Sequence, residues 1–168
     1  MSKNDKEIDD IAKCSGATFT FTKLEDIYKY HRSHNIQKII SLDVKSWFEN
    51  KCSLYSNNMM AYYHKYDMEK YVVVESEVAY FLDKVKRRSA IDCYLSTFGD
   101  FKEGCRKALK FKYEGISFAY DRGESIDADD IELIHRKGLR IQVWVINDLQ
   151  QIETLKNMKV DFIQTDNW

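Results

Sequence analysis

Between residues 20 and 168 the chain changes period repeatedly, and that change of period constrains its fold more than any single motif. Short apolar runs, rich in β-branched residues, fall at 38–45 (KIISLDVK), 71–76 (YVVVES), 91–97 (IDCYLST), 115–120 (GISFAY), 139–147 (LRIQVWVIN) and 161–166 (DFIQTD). Each reads as a buried strand. Between them, apolar residues recur every three or four positions, as on one face of a helix. Val78, Phe81, Leu82 and Val85 mark a helix over 77–88, and Leu149, Ile152, Leu155 and Met158 mark another near the end. Phe101, Cys105, Ala108 and Leu109 carry the same spacing, as do Leu24, Ile27, Tyr28 and His31.

Local signals place several helix ends. Thr22 and Glu25 have the spacing of a capping box. Asp127 is positioned to cap a helix over 128–137 with Gly138 at its stop, and Asp148 with Gln151 to cap the last helix. The stretch 46–56 looks irregular, with a helix expected only over about 57–67, where Met59, Met60, Tyr63 and Tyr66 lie.

Strands alternating with helices imply βαβ units and a parallel sheet. Two arrangements compete: an open doubly wound sheet and a closed (β/α)8 barrel. No GxGxxG follows any strand, so the nucleotide-binding open sheet gains no support. With 168 residues and units of about 25 residues, a barrel of the usual ~250 residues would be about two units short. The expectation is therefore an incomplete TIM-type barrel with about six βα units, formed by residues 21–168 behind a tail at 1–20.

Composition narrows the partners. The net charge is -1, from 26 basic and 27 acidic residues, a balance that points to neither nucleic acid nor an anionic membrane surface. The opening MSKNDKEIDDIAK has no apolar core, and no apolar run reaches the roughly 18 residues of a membrane span. A cytoplasmic location is the expectation. The four cysteines, Cys14, Cys52, Cys93 and Cys105, show neither a CxxC pair nor zinc-site spacing, and are expected reduced and partly buried.

The strand at 38–45 carries the most chemistry. Alternation puts Ile40, Leu42 and Val44 on one face and Ser41, Asp43 and Lys45 on the other. Opposite charges two residues apart at the end of an apolar strand are costly to bury unless paired or used. In a barrel they would face the mouth, where active sites of this fold lie. Asp43 could bind a hard cation through oxygen and Lys45 could neutralise a phosphate. The simpler reading is a structural Asp–Lys pair. Glu75, Ser76, Tyr120 and Asp121 end other strands and could also reach the mouth, although an exposed strand-end Glu is the more common outcome for Glu75.

Three stretches carry a family likeness. VWVIN followed by a helix and VDFIQTD resembles the C-terminal end of the glycerophosphodiester phosphodiesterases, where a V-W-T-V-N strand, a short helix and V-D-G-I-I-T-D close the barrel. LDVK at 42–45 is similar to that family's I-E-I-K strand, and VVVESE at 72–77 to its V-I-S-S-F strand. The resemblance spans roughly residues 20–168. It implies a phosphate-binding (β/α)8 barrel that hydrolyses glycerophosphodiesters to glycerol 3-phosphate and an alcohol, usually with a divalent metal, Mg2+ or Ca2+. By position Asp43 stands where the family has a metal-binding Glu, one methylene shorter. Lys45 stands at its phosphate-contacting Lys and Trp144 at its substrate-facing Trp. Thr165 and Asp166 match the end of the closing strand as rim residues.

The departures are as informative. The family opens with a strand bearing H-R-G, then a strand with E-x-D and a segment ending H-D. These supply two histidines for acid–base work and further metal carboxylates. Nothing before Asp43 matches them, so no catalytic residue is assigned. His31–Arg32, His64 and His135–Arg136 fall on helices and read as surface or interface residues. The resemblance thus implies a barrel lacking its first two strands, weak or inactive alone, with open sheet edges that invite self-association. Two alternatives remain: a non-catalytic module that binds phosphate or a partner, and a hydrolase rebuilt around Asp43, Glu75 and a histidine.

Overall fold

The computed structural model describes residues 22–45, 49–98, 100–120 and 126–166. The tail at 1–20, Cys14 and Asp121 lie outside them. Six strands and six helices alternate among the described residues. They are α1 (Leu24–Ser33), β1 (Ile40–Asp43), α2 (Glu49–Lys65), β2 (Val72–Ser76), α3 (Ala79–Lys86) and β3 (Asp92–Thr97). Then follow α4 (Phe101–Phe111), β4 (Gly115–Ala119), α5 (Ala128–Arg136), β5 (Arg140–Trp144), α6 (Leu149–Asn157) and β6 (Phe162–Ile163). No helix among the described residues is long and apolar enough to cross a membrane.

All six strands form one parallel sheet in the order β1-β2-β3-β4-β5-β6. That order decides between the two candidate arrangements. A doubly wound sheet must reverse its strand order so that helices cover both faces. Here the order never reverses, and right-handed crossovers then put every helix on one face. The helix-side core agrees: Val74, Cys93, Leu95, Ile116, Phe118, Ile141 and Val143 pack with Phe81, Leu82, Ala108, Ile131 and Leu155.

The sheet also curls. β2 and β6 are four strands apart, roughly 19 Å in a flat sheet. Yet Gln164, just after β6, donates from Nε2 to Glu75 Oε1 on β2 at 2.8 Å. The Tyr94 and Phe162 rings, from β3 and β6, meet edge to face at 5.8 Å. The fold is an incomplete (β/α) barrel of TIM type, with the helix-free face of its sheet concave.

The helix ends follow side-chain chemistry. Asp100, Asp127 and Asp148 each accept a hydrogen bond from the backbone N–H three residues on, at 2.8–2.9 Å. The capping box at Thr22 does not form. Lys23 is the N-cap of α1, without a side-chain cap bond. Glu25 is used instead by Lys65 and Tyr66 of the next unit, at 2.6 and 2.8 Å. The helix after β1 begins at Glu49, eight residues before the expected 57. With Cys52, Ser56, Met59, Met60 and Tyr63 buried, its inward face includes polar and small side chains that obscure the apolar period.

β5 is shorter than the apolar run suggests. It ends at Trp144, because Val145 adopts a left-handed φ of 63°. Ile146 lies beyond this break and joins the core instead of continuing the Gln142–Trp144 face. Cys52, Cys93 and Cys105 are buried, as their composition-level reading requires.

Candidate functional site

Register places a row of side chains on the concave face. Asp43 lies beside Glu75, Glu75 beside Tyr94, Ser117 beside Gln142, and Ala119 beside Trp144. Asp43 and Trp144 close the C-terminal ends of β1 and β5, and Lys45 follows two residues after Asp43. This is the end of a barrel at which ligands are held.

The expected alternation along β1 is present: Ser41, Asp43 and Lys45 are exposed, and Ile40, Leu42 and Val44 partly buried. Lys45 Nζ lies 2.8 Å from Asp43 Oδ2, with both side chains nearly half exposed. So exposed a pair contributes at most about 1 kcal/mol, which leaves both groups available to a ligand. They line an open groove of about 430 Å³ with Leu24, Tyr55, Met59 and Tyr62. Trp144 lines a different hollow of about 210 Å³, with Val145, Asn147, Gln164, Thr165 and Asp166. The three expected site residues thus share one end of the sheet but not one cavity. The Trp144 ring meets Phe98 edge to face at 5.6 Å. Its shielded indole N–H has no partner among the described residues. Thr165 and Asp166 form the rim: Asn147 Nδ2 donates to Asp166 Oδ2 at 3.1 Å, and the Asp166 backbone N–H donates to Asn147 Oδ1 at 2.9 Å.

Glu75 departs from the exposed strand-end reading. It is only 3% exposed. Gln164 and Gln142 donate to its two oxygens at 2.8 and 2.7 Å, and the Ser117 hydroxyl donates to Oε2 as well. No basic side chain bonds it among the described residues. A buried carboxylate can remain there because three polar hydrogens from β4, β5 and the end of β6 converge on it. This network ties one side of the curled sheet to the other. Ser76 is also buried, and its hydroxyl donates to Val44 O at 2.7 Å. Tyr120 borders a shallow hollow with Asp148 and Gln151, away from Asp43.

The four histidines are all engaged away from Asp43 and Glu75. His31 is buried, not a surface residue, with Nε2 at 2.7 Å from Lys38 O. His34 Nδ1 lies 3.0 Å from Tyr30 O. His64 faces Glu69 at 3.6 Å. His135 Nε2 lies 2.9 Å from Asp161 Oδ2, which also accepts the Ile141 amide. Among the described residues no three His, Cys, Asp or Glu side chains gather as a metal cage. Asp43 stands as a single half-exposed carboxylate beside the Lys45 ammonium, and the Glu75 oxygens are taken by three donors. These carboxylates do not form a protein-only site for Mg2+ or Ca2+, which calls for several oxygen ligands.

No family model matches the chain, and no curated protein matches it. Solved structures do match in fold. A glycerophosphodiester phosphodiesterase from Parabacteroides distasonis ATCC 8503 superposes with a TM-score of 0.71 at 19% identity, over 85% of this chain and 59% of its own. An Oleispira antarctica phosphodiesterase, solved in complex with the product sn-glycerol-3-phosphate, gives 0.73 at 13% identity, over 85% and 56%. An EAL domain protein from Listeria monocytogenes EGD-e gives 0.60 at 16% identity, over 84% and 64%. The chain spans between 52% and 60% of the first five structures it matches. In fold, then, this chain is similar to the (β/α) barrels of these phosphodiesterases, over six strands and six helices among the described residues.

Proposed function

We propose that this is a glycerophosphodiester phosphodiesterase-like protein that binds a glycerol phosphate group and hydrolyses glycerophosphodiesters weakly or not at all as this chain. One observation carries the reading: Asp43, Lys45 and Trp144 come from the C-terminal ends of two strands of a single curled sheet, the end at which this fold holds ligands. In this reading the Lys45 ammonium meets the phosphate, and Trp144 offers an apolar wall to the carbon skeleton. The low hydrolytic capacity rests on the histidines. General acid–base catalysis needs a group within hydrogen-bond reach of the reacting atoms, and the four histidines are engaged elsewhere.

Two measurements test this. Calorimetric titration with glycerol 3-phosphate is expected to give binding that weakens about tenfold in Lys45→Ala, the loss of one charge-assisted contact, and also weakens in Trp144→Ala. Binding unchanged in both variants would overturn the reading. Release of glycerol 3-phosphate from glycerophosphocholine, with Mg2+, Ca2+ or chelator, is expected to be weak or absent. Metal-dependent release that disappears in Asp43→Ala would instead establish a hydrolase rebuilt around Asp43. Binding without turnover would favour the alternative of a non-catalytic phosphate-binding module.

A further inference from the structure

Glu75 stands between the two cavities at the C-terminal end of the sheet. Asp43, which lines the groove with Lys45, is its neighbour in register. Gln164, which lines the hollow with Trp144, is its hydrogen-bond partner at 2.8 Å. That bond fixes which way the Gln164 amide faces. A carboxylate only accepts, so the amide nitrogen must be the atom turned to Glu75 Oε1. The Gln164 backbone is held as well: its N–H donates to Val143 O at 2.8 Å, and its carbonyl accepts from the Ile146 amide at 3.3 Å. Gln164 Oε1 is left as the free end of the amide. It accepts no hydrogen bond among the described residues and is not sealed from solvent. The rest of the hollow is engaged or acidic. Asn147 donates to Asp166 Oδ2, and Asn147 Oδ1 accepts from the Asp166 amide and the Thr165 hydroxyl. No basic side chain lines the hollow among the described residues. Acceptors without a cation suit the hydroxyl end of a ligand, not its phosphate.

We propose that Gln164 is a specificity-determining residue whose Oε1 accepts a hydrogen bond from a ligand hydroxyl, and that Glu75 is the positioning residue that turns Oε1 to the hollow. The inference rests on the glycerol phosphate reading above and deepens it. The phosphate meets Lys45, the carbon chain lies along Trp144, and a hydroxyl on that chain donates to Gln164. The ligand class narrows to phosphate esters whose carbon chain carries a free hydroxyl. The Glu75 contacts also fix what an amide in its place would do. Two donors, the Ser117 hydroxyl and Gln142 Nε2, converge on Oε2, and one, Gln164 Nε2, on Oε1. In Glu75→Gln the carbonyl therefore keeps the Oε2 position and the NH2 takes the Oε1 position. Gln164 must then flip to accept from it, and the hollow gains a donor where it had an acceptor.

Calorimetric titration of the full 168-residue chain tests this with three ligands. Glycerol 3-phosphate carries two hydroxyls, n-propyl phosphate has none, and 2,3-dimethoxypropyl phosphate accepts hydrogen bonds but cannot donate them. The unaltered chain is expected to bind glycerol 3-phosphate about tenfold more tightly than either of the others, the effect of one hydrogen bond. In Gln164→Met the preference over propyl phosphate is expected to shrink to within about twofold. In Glu75→Gln the preference over the dimethyl ether is expected to shrink likewise, because the flipped amide donates. Equal binding of glycerol 3-phosphate and propyl phosphate by the unaltered chain would overturn this inference and leave the Lys45 reading standing. Binding of neither would overturn both. A preference that survives Gln164→Met, or a loss of affinity for both ligands alike, would reduce Gln164 to a structural role. Discrimination against the ether that survives Glu75→Gln would do the same for Glu75. If Gln164→Met fails to fold, the unaltered chain and Glu75→Gln decide the question.

Discussion

The most consequential residue is Glu75, and its environment shows why the strand-end reading failed. Along the chain it is simply an acid near the end of VVVES. Its three donors lie 42, 67 and 89 residues downstream, and only the curl of the sheet brings them together. No local pattern carries that information. Truncation by Glu75→Ala would leave the Ser117 hydroxyl and two Gln amides buried without their acceptor. The expected loss of stability is about 3 kcal/mol, read as a lower urea midpoint with unchanged slope. An unaltered midpoint would mean that the network contributes nothing to closing the sheet. Gly115 makes a second, steric point. A Cβ there would come within 2.3 Å of Arg140 O and 2.6 Å of the Tyr94 ring. Neither the neighbouring backbone of β5 nor a fully buried tyrosine can move aside freely. Gly115→Ala is therefore expected to cost about 2 kcal/mol, a loss that Gly138→Ala, with open space at its Cβ position, would owe only to its backbone angle. Asp43 and Lys45 differ from both: their places on β1 were legible because strand alternation is a purely local rule. What they bind was not, because the cavity beside them is built by α1, α2 and α3.

At the scale of elements, legibility followed the strength of the local period. Strands such as Val72–Ser76 and Gly115–Ala119 are buried on both faces, so their runs are continuously apolar and easy to read. β5 misleads for the same reason. VWVIN continues the β-branched run without interruption, and only the backbone turn at Val145 ends the strand at Trp144. A β-branched residue at positive φ is strained, and here the strain sits beside the Trp144 hollow. Helix stops show a related economy of glycine. The chain has six glycines and no proline. Apart from Gly138, the left-handed positions among the described residues fall on Asn35, Asp67, Lys112, Val145 and Lys159. Lys112, the C-cap of α4 at φ 59°, is exposed and makes the cleanest test. Replacing it with glycine removes the Cβ penalty of the left-handed turn and is expected to stabilise the fold by about 1 kcal/mol. The higher thermal midpoint should appear without any change in glycerol 3-phosphate binding. A lower midpoint would show that the Lys112 side chain supports the helix end in some further way.

Besides the Glu75 carboxyl, the whole molecule buries several phenols and thiols. Burial pushes the Tyr63 phenol up to about 12 and raises those of Tyr28, Tyr94 and Tyr113 well above the ordinary tyrosine value. It also pushes the Cys93 thiol up to about 12 and the Cys105 thiol up to about 11. In the unfolded chain these groups return to ordinary values, near 8.5 for Cys and 10 for Tyr. Between the ordinary and the raised values the unfolded chain therefore holds fewer protons than the folded one. Stability must then fall as pH rises through that window. Loss begins near pH 8.5 through the thiols, steepens near pH 10 as the phenols join, and continues to about pH 12. Urea midpoints followed by circular dichroism from pH 7 upward are expected to decline along this course. Tyrosinate absorbance from the buried rings should appear together with unfolding, not before it. Phenols that titrated near pH 10 in a chain still folded would show that the interior admits water. The helix-side core and the concave face would then be far looser than the packing of Tyr28, Tyr63 and Tyr94, each at most 1% exposed, requires.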